Sequence, residues 1–276
     1  MNLSRRASWI AAAPLLLIVA AAVVLPFAWR SGGVVFDCLR GDECALRDLA
    51  ADGYYAKAIF NTVWISALST LIALAVGCAA AAALAEHPAW RRASSVLANL
   101  GANFAGVPLA LALTLLFGVQ GVLRQGLASA GVALPFDLEG NGGLLLAYLC
   151  FQVPLATLML AQPVQLLEGG LMDAAATLGA SPMLFWRRVG LPLLAPSLVE
   201  VGSLLFANAA AAYATPFALS GTSANVLAVR IAALVSGDIF SNPGLSSLLA
   251  LLMFALLALV IGGANLLARR LRGRAA

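Results

Sequence analysis

Six apolar runs, separated by short polar or arginine-bearing segments, constrain this chain more than any other feature. They extend from Trp9 to about Trp29, Ala58 to Ala85, Ser95 to Val119, Gly142 to about Leu166, Leu193 to Leu219, and Pro243 to Ala268. Each matches the roughly 20 residues that a helix needs to cross a hydrocarbon core of about 30 Å. Only 10% of the 276 residues are charged and 62% are hydrophobic, whereas a soluble domain is about one-quarter charged. So few charges cannot cover a water-facing surface. Lipid in turn requires every backbone N–H and C=O to be paired inside the protein, which leaves helical bundles or closed barrels. Barrel strands alternate apolar and polar over about ten residues, and these Ala/Leu-rich runs do not alternate. The expected fold is an all-α integral membrane protein of six transmembrane helices.

The first run is longer than the 7–15 residues of a signal-peptide core, so it reads as an uncleaved helix. Residues 1–57 then comprise that helix and a polar loop, 58–268 a core of five helices, and 269–276 a basic tail. Gly101, Gly106 and Pro108 interrupt the third run and imply a kink or close packing. Pro154 and Pro163 lie inside the fourth. The segment 226–235 is apolar but too short to cross, and is expected as a helix lying at the surface.

Ten arginines lie in the short ends and turns of one side: Arg5, Arg6, Arg91, Arg92, Arg187, Arg188, Arg269, Arg270, Arg272 and Arg274. The other side has six basic residues: Arg30, Arg40, Arg47, Lys57, Arg124 and Arg230. The positive-inside rule places the first set, both termini and the 173–192 segment in the cytoplasm. It also accounts for the net charge of +4 without nucleic acid. Cys38 and Cys44 share the outer loop, where a small disulfide is one reading and two free thiols the other. Cys78 and Cys150 fall inside spans and read as core residues.

Much chemistry is excluded. Lys57 is the only lysine and lies between Ala56 and Ala58, so no G-x-x-x-x-G-K-[ST] phosphate loop exists. His87 is the only histidine, which rules out two-histidine metal sites, and beside Pro88 it reads as a solvated loop residue. No catalytic residues, metal or bound cofactor are expected. Glu200, roughly 12 Å into the fifth span at 1.5 Å per residue, is the main intramembrane carboxylate. It reads either as pathway-lining or as an interfacial carboxylate paired with arginine or water.

The stretch between the fourth and fifth spans is too polar and too broken by Gly and Pro to cross. It reads as a short helix, a turn and a second short helix. Asp173 suits the positive end of the first helix, Ala174 and Ala175 keep it narrow, and Gly179 permits a tight bend. Ser181 and Pro182 suit the cap and first position of the second helix. Leu191 and Pro192 are expected to close the loop and begin the fifth span.

Asp173-Ala174-Ala175, three residues, Gly179, nine residues, then Val189-Gly190-Leu191-Pro192 resembles the EAA loop of permease subunits of binding-protein-dependent ABC importers. The family pattern is Glu-Ala-Ala, Gly and Ile-x-Leu-Pro at the same spacing, so Asp replaces Glu and Val replaces Ile. The resemblance implies a coupling helix that seats Asp173, Ala174, Ala175, Gly179, Ser181, Arg187, Leu191 and Pro192 against a cytoplasmic ABC ATPase dimer. ATP and Mg would be held by that partner. It implies a second permease subunit, by resemblance a paralogue in a heterodimer, an extracytoplasmic substrate-binding protein, and a place in the bacterial cytoplasmic (inner) membrane. The segment Ala212-Tyr213-Ala214-Thr215-Pro216 through Leu219-Ser220-Gly221 is similar to a segment of spermidine/putrescine permeases, with Ala212 where an acid is common. Asn242-Pro243-Gly244-Leu245 is similar to their Trp-Pro-x-Gly before the last span. Ferric iron, thiamine and phosphonate permeases share the first segment loosely. Glu200, Asn208, Tyr213 and Thr215 are the candidate pathway residues.

Overall fold

The computed structural model describes residues 53–85, 88–132, 136–168, 170–236 and 242–275, with isolated positions between 14 and 49. Most of the predicted first span, the Cys38–Cys44 pair and His87 lie outside the described residues. Every regular element among the described residues is helical. In order these are α1 (Gly53–Ala85), α2 (Pro88–Asn103), α3 (Val107–Phe117), α4 (Val122–Ser129), α5 (Asn141–Glu168), α6 (Leu171–Thr177) and α7 (Pro182–Phe185). A π-helical turn (Trp186–Gly190) leads into α8 (Leu191–Ala210), followed by α9 (Ala214–Ser220), a 3₁₀ turn, α10 (Leu227–Ser236) and α11 (Pro243–Ala275).

Among the described residues five stretches are long and apolar enough to cross a membrane: Gly53–Ala85, Val107–Ser129, Asn141–Leu167, Pro182–Ala210 and Gly244–Gly273. The pair Ala214–Ser223 and Leu227–Ser236, bent by 68°, passes the same test as one broken span. Four sequence boundaries are corrected. The run 95–119 is not one helix. Gly106 takes φ +82° and Pro108 brings no N–H to the first turn of α3, so the chain breaks at Phe104–Gly106. The loop after it contains α4. The fifth run stops at Ala210, where a short non-helical stretch separates α8 from α9, with Pro216 in the first turn of α9. Pro is tolerated there because first-turn N–H groups have no helical partner. Finally, the 226–235 segment becomes α10 one residue later, at Leu227–Ser236, with Leu227 and Val229 buried and Val235 exposed.

The chain divides into two compact units, 57–230 with 255–276 and 1–56 with 231–254. In the smaller, Asn242 caps α11, its Oδ1 accepting from the Leu245 N–H at 3.0 Å. In the larger, α5 carries the core. Ala147, Tyr148 and Phe151 pack with Leu109, Leu113, Leu219 and Val226. Further along the same helix, Ala156, Leu160, Val164 and Leu167 pack with Ala73, Ala81, Leu194 and Leu205. Helix contacts are close because small residues lie at them. A Cβ on Gly77 would come 2.6 Å from Ala156 Cβ, and one on Gly101 would come 2.8 Å from Pro154 Cγ.

Candidate functional site: the 170–192 loop

The loop folds by local rules. Gly170, at φ 104°, reverses the chain before α6, and Asp173 stands exposed in its first turn. At the other end Gly179 takes φ +79°. Its N–H donates to Ala176 O at 2.9 Å, and the Ala180 N–H donates to Ala175 O at 3.0 Å. This pair is a Schellman ending, which needs a residue that accepts the left-handed region. Ser181 Oγ then accepts from the Leu184 N–H at 3.3 Å, with Pro182 at the start of α7.

The loop ends otherwise than expected. Leu191-Pro192 begins α8 as expected, but no break precedes it, because helix runs without interruption from Pro182 to Ala210. The junction is the π-helical turn, in which the Leu191 N–H donates to Trp186 O, five residues back. Pro192 has no N–H to give, and the wider turn absorbs the missing donor. Gly190 is required by packing. A Cβ there would lie 2.7 Å from the Trp186 ring.

Asp173, Ala174, Gly179, Ser181, Arg187, Leu191 and Pro192 are all exposed, and Ala175 is half-buried. So are two apolar side chains that the motif did not single out, Leu178 at 88% and Met183 at 78%. Their signal was an apolar residue at each end of the Gly179 bend, inside an otherwise polar break.

The four pathway candidates each have their own surroundings. Asn208 is exposed on α8, and Tyr213 stacks on Phe217 with ring centroids 5.2 Å apart. Thr215 is 2% exposed, and its Oγ1 accepts from the Gly106 N–H at 3.0 Å. Glu200 is ion-paired, with Arg272 Nη2 at 2.6 and 2.7 Å from its two carboxylate oxygens. Of the two sequence readings, that contact matches the carboxylate paired with arginine. Arg230, counted above as an outer-side charge, is buried. Its Nε donates to Asn225 Oδ1 at 3.2 Å and its Nη2 to Ser223 O at 3.4 Å. The same segment is pinned to α1, where Thr62 Oγ1 accepts from the Leu227 N–H at 2.8 Å and Asn61 Nδ2 donates to Asn225 O at 3.2 Å.

No family model matches the chain. It is 29% identical over 234 residues to a probable ABC transporter permease protein, y4fN, of Sinorhizobium fredii, covering 84% of this chain and 40% of that protein. It is 30% identical over 213 residues to the trehalose transport system permease protein SugB of Mycobacterium tuberculosis, covering 76% and 69%. Shorter stretches match permeases named for thiamine, molybdenum and spermidine/putrescine transport. The chain spans less than half the length of y4fN and about a quarter of the thiamine permease. Its fold is that of a chain in the crystal structure of a bacterial ABC transporter involved in the import of the acidic polysaccharide alginate, with TM-score 0.74 at 16% identity over 98% of this chain and 99% of that one. An all-helical chain with several membrane-crossing helices, a folded loop between two of them and a permease relative matched over two-thirds of its length belongs to the permease subunits of binding-protein-dependent ABC importers.

Proposed function

We propose that this chain forms part of a solute pathway across the bacterial inner membrane and couples uptake to ATP hydrolysis on a separate cytoplasmic subunit. The observation that carries the proposal is mechanical. The 170–185 loop presents exposed Asp173, Leu178 and Met183 at a corner fixed by Gly179 and Ser181, and α7 continues as helix into α8. A push on that corner by an ATPase groove moves α8 as a lever. Asp173, Ala174, Ala175, Gly179 and Ser181 shape the docking helix, while Arg187, Leu191 and Pro192 lie at the joint. ATP and Mg stay on the ATPase dimer. A second permease, a paralogue in this reading, completes the pathway, and an extracytoplasmic binding protein delivers the solute. Both termini and the loop face the cytoplasm.

Asn208 and Tyr213 are exposed and available to a solute, whereas Glu200 would first have to leave Arg272 and Thr215 to leave Gly106. The solute we favour is of the polyamine type, supported by the 212–221 and 242–245 segments. Thiamine is the second reading, supported by the match to a thiamine permease over 147 residues at 33% identity.

Leu178→Asp and Met183→Asp test the coupling, because both side chains are exposed and neither change removes packing within the chain. An ATP-hydrolysing subunit should co-purify with the native protein and be lost from both variants, together with uptake. Retention of the subunit and of uptake in both variants, and in Gly179→Val, would sink the coupling reading. Labelled spermidine uptake, competed by putrescine and by thiamine in parallel, decides the solute.

A further inference from the structure

Two buried hydroxyls of α1 behave unlike the others in the bundle. A serine or threonine inside a helix can turn its hydroxyl back to a carbonyl of the preceding turn. Thr62 donates in this way to Ala58 O at 2.8 Å, Ser69 to Ser66 O at 3.1 Å, Thr114 to Ala110 O at 2.9 Å and Thr157 to Val153 O at 2.8 Å. Ser66 Oγ and Thr70 Oγ1 do not. Their side chains are 1% and 6% exposed, and neither oxygen has a hydrogen-bond partner among the described residues. A third such atom is Oε1 of Gln152, a residue of α5 that is 0% exposed. Its Nε2 donates to Leu205 O of α8 at 3.3 Å.

The packing brings these atoms to one junction. α1 and α5 run in the same direction, since Ile65 clusters with Tyr148 and Phe151, and Ala81, further on, with Leu160 and Val164. A Cβ on Gly77 would lie 2.6 Å from Ala156 Cβ, so Ala73, one turn earlier, is level with Gln152. Thr70 is only about 4.5 Å further along the axis at 1.5 Å per residue. α8 lies against the same place. A Cβ on Gly202 would lie 3.0 Å from Leu74 Cδ1 and 4.0 Å from Thr70 Cγ2, and Leu205, the acceptor of Gln152, is less than one turn on. Ser66 stands one turn from Thr70 on the same face of α1, a spacing of about 5–6 Å between Cβ atoms. That is too far for a direct hydrogen bond between the two side chains and suits a molecule that bridges them.

The three atoms define what can bridge them. Gln152 Oε1 only accepts, so the guest must donate, whereas the two hydroxyls can do either. α1 from Ala58 to Ala85 and α5 from Asn141 to Leu167 contain no charged residue, so a cation at this depth would lack a counter-charge and be costly. A small neutral donor remains, and a buried water makes about three hydrogen bonds to polar groups that have no other partner. We infer that a water molecule is bound where α1, α5 and α8 meet, donating to Gln152 Oε1 and hydrogen-bonded to the hydroxyls of Ser66 and Thr70. With Oε1 held by the water, the amide has one orientation, and Nε2 stays on Leu205 O. The water thereby ties α1 to α8 through Gln152, at a level where lipid supplies no hydrophobic force between helices. The inference does not depend on the ATPase contact of the loop or on the identity of the solute.

Water-edited solid-state NMR of the full-length chain in lipid bilayers reads the site, because it times the transfer of proton polarisation from water to each labelled nitrogen. Glutamine side chains and leucine backbones are labelled, and the Gln152 signal is identified by its loss in Gln152→Met. The expected result is rapid build-up at Gln152 Nε2, as at the exposed side chain of Gln125, although Gln152 itself is fully buried. Slow build-up in the native chain, matching the backbone nitrogen of buried Leu160, overturns the proposal. Thr70→Val and Ser66→Ala should each lose the rapid build-up, and its persistence in both means that these hydroxyls do not hold the water. The midpoint of thermal unfolding supplies an independent sign. Thr70→Val removes one hydroxyl at nearly constant shape. If that oxygen is bonded to water, its removal strands the water and lowers the midpoint. If it has no partner, its removal relieves a buried polar group and raises the midpoint. A fall in Thr70→Val and Ser66→Ala is expected, and a rise in both would overturn the assignment.

Discussion

Gly77 sits where α1 packs tightly on α5, and a methyl group on it would lie 2.6 Å from Ala156 Cβ and 3.0 Å from Thr157 N. Lipid supplies no hydrophobic force between helices, so close approach at such positions is a large part of what holds spans together. Gly77→Ala should therefore push α1 and α5 apart and cost about 1–3 kcal/mol, read as a lower midpoint of thermal unfolding in detergent. Gly262→Ala is the contrast, because nothing lies within 4 Å of its would-be Cβ. Helix propensity makes that change neutral or favourable by up to about 1 kcal/mol. A matching drop in both variants would show that the contact is not the cause. In sequence these two glycines look alike, since each stands in an apolar run and only tertiary approach separates them. Gly179 was legible from its neighbours because its role is local, a left-handed residue that ends one short helix ahead of Ser181. The Glu200–Arg272 pair joins residues 72 apart in sequence, and no local pattern could have chosen Arg272 among the arginines of the tail. Both side chains are partly exposed, at 35% and 60%. Arg272→Gln should therefore cost no more than about 1 kcal/mol, with the unfolding midpoint nearly unmoved.

At the scale of elements, the break between α2 and α3 and the break between α8 and α9 are one structure. The Gly106 N–H, left over where α3 begins, donates to the hydroxyl of Thr215 in the first turn of α9. Thr215→Val keeps the shape and removes the acceptor, leaving a donor without a partner. That should cost about 1–3 kcal/mol and speed hydrogen exchange of the Gly106 amide, while Thr215→Ser should restore both. Unchanged exchange in Thr215→Val would mean that the bond does not hold the break. Hydropathy missed both breaks for a physical reason. Gly, Ala and Pro are apolar enough to continue a run, and a run records burial in lipid rather than continuity of helix. Gly106 and Pro108 did mark the first break as an interruption. Its depth, a full stop rather than a kink, followed from φ +82° at Gly106. The π-helical turn was likewise hidden. Val189-Gly190-Leu191-Pro192 suggested a loop end, and the role of Gly190 is visible only with the Trp186 ring against it.

For the whole molecule, the decisive question is which side of the membrane holds the 170–192 loop. Glu200, a few turns into α8, bonds Arg272 near the end of α11, so the loop end of α8 and the C-terminal end of α11 share one end of the larger unit. That agrees with an arginine count that places the loop and the tail together. The count itself sharpens once Arg230 is removed from the outer six as a buried, hydrogen-bonded residue, leaving ten against five. Basic residues near span ends are retained on the cytoplasmic side. A green fluorescent reporter after Ala276 should therefore fluoresce, and alkaline phosphatase at the same position should be inactive. Alkaline phosphatase placed after Gly131, in the exposed turn following α4, should be active. The reverse pattern would put Asp173, Leu178 and Met183 outside the cell. No ATP is available there, so it would sink the coupling proposal.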